Sequence, residues 1–166
     1  RLAADRKRLV ETLYRFNERM GNSAEALASV RKLEDPRTLV VVGGQQAGLL
    51  TGPLLVVYKA ISIVQAAKQA EERLGRPVVP VFWIAGEDHD FDEVNHLNLL
   101  TPQNEIEKIR MDHPTGVRTS VSRIKISGWD DVLQRLDETL TPTEFKPMLM
   151  DKLRQFAALS GTLTEL

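Results

Sequence analysis

The sequence predicts an α/β protein with a Rossmann-like parallel sheet core and flanking helices. Three observations lead there. Thr38–Val42 and Val78–Ala85 are almost wholly apolar and rich in β-branched residues, the pattern of parallel strands covered on both faces. Leu54–Leu74 between them reads as a long helix, and strand–helix–strand within about 50 residues is a βαβ unit. Each strand runs into a polar or glycine-rich stretch, and open sheets of this type collect ligands beyond the carboxyl ends of their strands.

In chain order, Leu2, Leu9, Val10, Leu13, Phe16 and Met20 recur at three- and four-residue spacings. They predict an amphipathic helix ending near Gly21. Asn22-Ser23 caps a second helix through Leu33, stopped by Asp35-Pro36. After the first strand, Thr51 is the expected N-cap of the long helix, with Pro53 in its first turn. Gly75-Arg76-Pro77 ends that helix, and Pro80 marks a start or irregularity in the second strand. Phe82 and Trp83 are expected in the core. Asn95–Leu100 is expected to finish a short helix before Thr101-Pro102. Ile106–Met111 and Ser120–Ile126 alternate as half-exposed strands do and are expected to pair as a hairpin. Trp129–Leu140 and Thr143–Leu159 read as helices. The division expected is a helical segment over 1–37, the βαβ core with both polar stretches over 38–101, and an incomplete connecting insertion over 102–166.

Composition narrows the function classes. The chain of 166 residues is 42% hydrophobic and 27% charged, ordinary for a globular domain with a real core. A net charge of -1 gives no general pull toward nucleic acid or an anionic membrane. With no cysteine, disulfides, thiolate zinc sites and a cysteine nucleophile are excluded. No apolar run approaches the roughly 20 residues of a membrane span, and no secretory signal opens the sequence, so the expected location is cytoplasmic. Arg1 in place of methionine, and the unpunctuated Ser160–Leu166, suggest a piece of a longer chain.

The first polar stretch is Gly43-Gly44-Gln45-Gln46-Ala47-Gly48-Leu49-Leu50-Thr51-Gly52-Pro53. Gly43 and Gly44 permit positive φ or close backbone approach, and a glycine-rich turn feeding a helix N-terminus suits an anion. The spacing is neither that of a dinucleotide fingerprint nor that of a Walker A loop. The alternative is a plain tight connection. Gln45 and Gln46 add paired donors and acceptors for a polar ligand, and Lys59 is either an anion contact or a surface lysine. The second stretch, Glu87-Asp88-His89-Asp90-Phe91-Asp92-Glu93-Val94-Asn95-His96, admits three readings. A histidine among carboxylates suits acid–base or substrate-binding chemistry. A carboxylate–imidazole metal site is the second, although neighbours on an extended strand point to opposite faces. In the third, Asp88 or Asp90 merely caps the next helix.

These two stretches resemble the motifs of a known family. Gly44–Pro53 with Tyr58-Lys59-Ala60-Ile61, followed by Pro80–His96, is similar to the paired motifs of the bacillithiol synthase family, BshC, the cysteine-adding ligases of bacillithiol biosynthesis. The resemblance implies a Rossmann core with connecting insertions and a C-terminal coiled coil that makes the full-length protein a homodimer. It implies amide formation between cysteine and the amine of glucosaminyl-malate, with ATP activation expected by analogy with the cysteine ligase of mycothiol synthesis. Asp88 and His89 are then the expected catalytic pair. Gly44, Gln45, Gln46, Thr51, Gly52, Glu87, Asp90, Asn95 and His96 are the expected substrate-binding residues, with no metal. A nucleotidyltransferase or metal-dependent hydrolase, and a non-catalytic ligand-binding module, are the alternatives.

Overall fold

The computed structural model describes residues 5–165, so Leu2 of the first helical pattern lies outside the described residues. The chain forms two compact units. One takes the chain up to Gly44 together with Tyr58–Trp83; the other takes Gln45–Val57 and the chain from Ile84 onward.

The first unit begins with α1 (Arg6–Arg19), whose N-cap Asp5 accepts from Arg8 N, and α2 (Ala24–Lys32), capped by Ser23. Gly21, at φ +69, makes the stop between them. Strand β1 (Leu39–Gln45) and strand β2 (Val78–Ile84) form a two-stranded sheet. Leu39 N donates to Pro77 O and Ala85 N donates to Gln45 O. Both chains advance in the same direction between these bonds, so the strands are parallel. Helix α3 (Leu54–Leu74) is the crossover and ends at Gly75, φ +60. This is the expected βαβ unit, and the chain is α/β.

Side chains pack against both faces of the sheet but cover it only in part, since Val40 and Val42 of β1 are exposed. Val79 and Val81 pack with Val10, Val30 and Leu33 of the helical hairpin. The register that sets Leu39 beside Val78 sets Gly43 beside Phe82, on the opposite face. A Cβ at Gly43 would run into Ile63 of α3, and one at Gly44 would run into the Trp83 carbonyl. The two glycines therefore serve close approach, with no positive φ, and β1 extends through them to Gln45.

Several expectations are corrected here. Trp83 is not core: it is 59% exposed, beyond the end of the face that α1 and α2 cover. Strand β2 runs through Pro80 without interruption, which an edge strand tolerates. Thr51 is not the α3 cap, because a cap residue needs extended backbone and Thr51 has φ +74. Pro53 stands immediately before Leu54, the first helical residue.

The second unit holds the larger core, in which Leu49, Ile109, Val121 and Met150 are almost wholly buried. After the one-turn helix α4 (Phe91–Val94), His96–Leu100 is strand β3 and not the end of a helix. It pairs antiparallel with β4 (Ile106–Arg110), from His96 opposite Arg110 to Leu100 opposite Ile106. Asn104, at φ +62, closes their turn. Ser120–Ile126 is not the partner of β4. It contains a single 3-10 turn over Val121–Arg123, which buries Val121 and Ile124 in the core. Helices α5 (Trp129–Thr139) and α6 (Lys146–Leu159) follow, with Val132, Leu133, Leu136 and Met150 facing inward. The last helix starts later than Thr143, with its proline in the first turn.

Forcing a methyl group into a filled space costs roughly 1–3 kcal/mol. Gly44→Ala is expected to destabilise the protein by that amount, measured as a lower urea midpoint. An unchanged midpoint would mean that β1 and β2 part freely at this end.

Candidate functional site

The site lies in the second unit and is built from both polar stretches. In the first, Gly48 and Gly52 approach so closely that a Cβ on Gly48 would lie 3.0 Å from Gly52 Cα. Between them Leu49–Thr51 forms a 3-10 turn anchored by the wholly buried Leu49. Leu50 (φ +50), Thr51 (φ +74) and Gly52 (φ +71) are all left-handed. Such a conformation costs a non-glycine residue on the order of 1–3 kcal/mol. Gly52 adds ψ -153, a region open in practice only to glycine.

In the second stretch the chain turns sharply after β2: Gly86 N donates to Ile84 O at 2.8 Å and Asp88 N to Ala85 O at 3.4 Å. Asp88 Oδ1 accepts from His89 N at 2.6 Å and Asp90 N at 3.1 Å. Asp90 Oδ1 accepts from Glu93 N at 3.2 Å, so Asp90 is the N-cap of α4. Phe91 and Val94 bury the opposite face of that turn.

One side chain joins the two stretches. Gln46 Nε2 donates to Asp88 Oδ2 at 2.7 Å and to Glu93 Oε2 at 3.0 Å. The Gln46 amide holds the Asp88 carboxyl below the usual aspartate range, with the Asp90 and His89 amides adding to the effect. Asp88 is therefore an anion at neutral pH: it can bind a cation or accept a hydrogen bond, and it cannot serve as a proton donor. The His89 ring is 57% exposed, and its Nδ1 lies 4.0 Å from Asp88 Oδ1.

The remaining candidates are distributed as follows. Gln45 carries the main-chain acceptor for Ala85 N. Gly44 ends the first unit's share of β1, where its carbonyl accepts from Lys59 Nζ at 3.1 Å. Thr51 and Glu87 are exposed on their turns. Asn95 is wholly buried: its Nδ2 donates to Met111 O at 2.9 Å, and its main-chain carbonyl accepts from Met111 N at 2.9 Å. This pair of bonds clamps the start of the β3–β4 hairpin, leaving Asn95 directed into the protein. His96 Nδ1 lies 3.3 Å from Asn95 Oδ1, a hydrogen bond when Nδ1 carries the proton. His113 Nδ1 accepts from the Thr115 and Gly116 amides, and its ring packs edge-on against Phe91. Among the described residues, no three His, Asp or Glu side chains converge to hold a metal ion.

Glu93 is a site residue that sequence reasoning passed over. Its signal was Asp90 three residues earlier, the spacing of a capping box. Here the third-position glutamate reaches Gln46.

The family model for the N-terminal Rossmann-like domain of BshC of bacillithiol biosynthesis matches residues 1–166. The chain belongs to the BshC family. A relative from Salinibacter ruber, named "Putative cysteine ligase BshC", is 42% identical over 91% of this chain and 28% of its own length. Relatives of the same name from Bacillus cytotoxicus and Halalkalibacterium halodurans are 41% and 40% identical over 96% and 97% of this chain, each across 30% of its own length. The chain thus spans less than a third of the BshC relatives it matches. Among the described residues, no helix is long and apolar enough to cross a membrane.

Two outcomes follow from this geometry. Leaving a buried acceptor unpaired costs roughly 1–3 kcal/mol, so Asn95→Ala is expected to destabilise by that amount in denaturant unfolding. A depressed carboxyl pKa contributes stability that is present above about pH 4, the unfolded aspartate value, and is lost as pH falls through the lower folded value. Gln46→Ala removes the main cause of that depression. A carboxyl NMR titration is expected to show Asp88 titrating at higher pH in the variant, which is less stable than the wild type above about pH 4 and loses less stability on acidification.

Proposed function

We propose that this chain is the N-terminal part of a cysteine ligase that joins cysteine to the amine of glucosaminyl-malate, with Asp88 and His89 at the reacting amine. The carrying observation is the Gln46 amide fixed between Asp88 and Glu93. It sets two carboxylates around one point, an arrangement suited to a substrate ammonium. Family membership and the names of the relatives support the ligase class and the pathway.

In amide formation the amine nitrogen attacks the activated cysteine carboxyl carbon, the carboxyl's leaving group departs, and the nitrogen sheds a proton. Ionised Asp88 holds and orients the amine. Its weak basicity leaves the proton to His89, which is exposed beside it and able to exchange with water. The strained Leu50–Gly52 turn, with Gln45, shapes the neighbouring substrate surface. Activation of the cysteine carboxyl is assigned to ATP on the analogy given above. Gly43 and Gly44 serve strand and helix packing. The same reading makes the full-length protein a cytoplasmic homodimer. No observation favours the hydrolase or nucleotidyltransferase alternative, as Asp90 is engaged as a helix cap.

The test is a mass-spectrometric assay of the full-length protein with cysteine and glucosaminyl-malate, with and without ATP. Removing an acid–base group typically costs 10²–10⁴-fold and misplacing a reacting group up to about 10²-fold, so a kcat loss of about 10²-fold is expected for His89→Ala and for Asp88→Asn. Normal cysteine addition by either variant would sink the assignment of that residue.

A further inference from the structure

The turn that carries Asp88 is held by a segment with no part in the chemistry above. Ser120 Oγ donates to Gly86 O at 2.5 Å, and Ser122 N donates to the same oxygen at 2.9 Å. Val121 N donates to Asp88 O at 2.7 Å. The strap is anchored, because the Val121 side chain is 1% exposed within the core. Gly86 is seated so tightly that a Cβ there would lie 3.1 Å from Ser122 Cβ and 2.6 Å from Thr164 Cγ2. The main chain of 86–88 therefore has one position, set from outside the motif.

We propose that Ser120 is a positioning residue for Asp88. Its hydroxyl, with the Val121 and Ser122 amides, fixes the Gly86–Asp88 turn so that the carboxylate meets Gln46 and the substrate amine in a single orientation. The catalytic half of this inference rests on the function proposed above; the mechanical half does not. Ser120 Oγ also lies 2.8 Å from Ser122 Oγ; the Ser120 proton goes to Gly86 O, so Ser122 is the donor between the hydroxyls, and removing its side chain leaves both bonds to Gly86 O in place.

The experiment uses the full-length protein and two readouts, hydrogen-exchange mass spectrometry over residues 85–91 and steady-state cysteine addition. Misplacement of a reacting group by an ångström costs up to about 10²-fold. Ser120→Ala is expected to speed exchange of the His89 and Asp90 amides and to lower kcat about tenfold, with KM for the amine substrate unchanged. Ser120→Thr, which keeps the hydroxyl, is expected to restore both, and Ser122→Ala to resemble the wild type. Should Ser120→Ala fail to fold, Ser120→Cys keeps the size, donates weakly and is read in the same way. Unchanged exchange in the folded variant would overturn the proposal, as would faster exchange with unchanged kcat, or a threonine variant as impaired as alanine. If the wild-type protein forms no amide at all, the proposed function fails, while the exchange comparison still decides whether Ser120 holds the turn.

Discussion

The candidate site depends on a neutral amide placed between two anions. Asp88 and Glu93 repel one another, and the two N–H bonds of Gln46 give each a partner without adding charge. Everything nearby serves that placement. Gly44 lets β1 lie against Trp83, so the chain leaves the sheet at Gln45 close to β2. Asp90 caps α4, and buried Phe91 and Val94 turn that helix so that Glu93 faces Gln46. The Ser120–Ser122 strap fixes the other carboxylate from behind.

The local electrostatics differ from those of the chain as a whole. The protein carries a net charge of only -1, yet Glu87, Asp88, Asp90, Asp92 and Glu93 fall within one short stretch. Of these, Asp92 is paired with Arg110 at 2.6 Å, whereas the bonds to Asp88, Asp90 and Glu93 named above come from neutral donors. Neutral donors fix an anion without quenching it, so the stretch keeps its attraction for a positively charged amine. Asp88 shows this most clearly, its carboxyl being held ionised chiefly by the amides of Gln46, Asp90 and His89, with the His89 side chain the smallest cause.

Much of this was legible in the sequence, for identifiable reasons. The two apolar strands, the 21-residue α3 and its glycine stop carry strong, long signals, and the helix bounds of α1, α2 and α5 fell within a few residues. The failures are equally physical. Asn95–Leu100 is too short for its leucines to separate a period of 2 from one of 3.6; the turn through Asn104 and a matching partner in Ile106–Arg110 decided for strand. Within Ser120–Ile126 the residues that are buried, Val121 and Ile124, are three apart, the spacing of a 3-10 turn. Trp83 looked like core because apolar runs usually are, and only the extent of α1 and α2 along the sheet determines its exposure. The meeting of Gln46 with Asp88 was expected in outline, as two loops at one sheet edge. The bond from Gln46 to Glu93 required the three-dimensional path of α4.

The partition of the chain has a consequence for how such a protein is inherited. The sequence passes from one unit to the other after Gly44, after Val57 and after Trp83. A single recombination breakpoint therefore cannot exchange one unit intact. A crossover at Trp83 would deliver Asp88 and Glu93 from one parent and Gln46 from the other, joining an acidic turn to a glutamine selected against a different background. The thirteen residues of Gln45–Val57 complete their unit only with the chain from Ile84 onward.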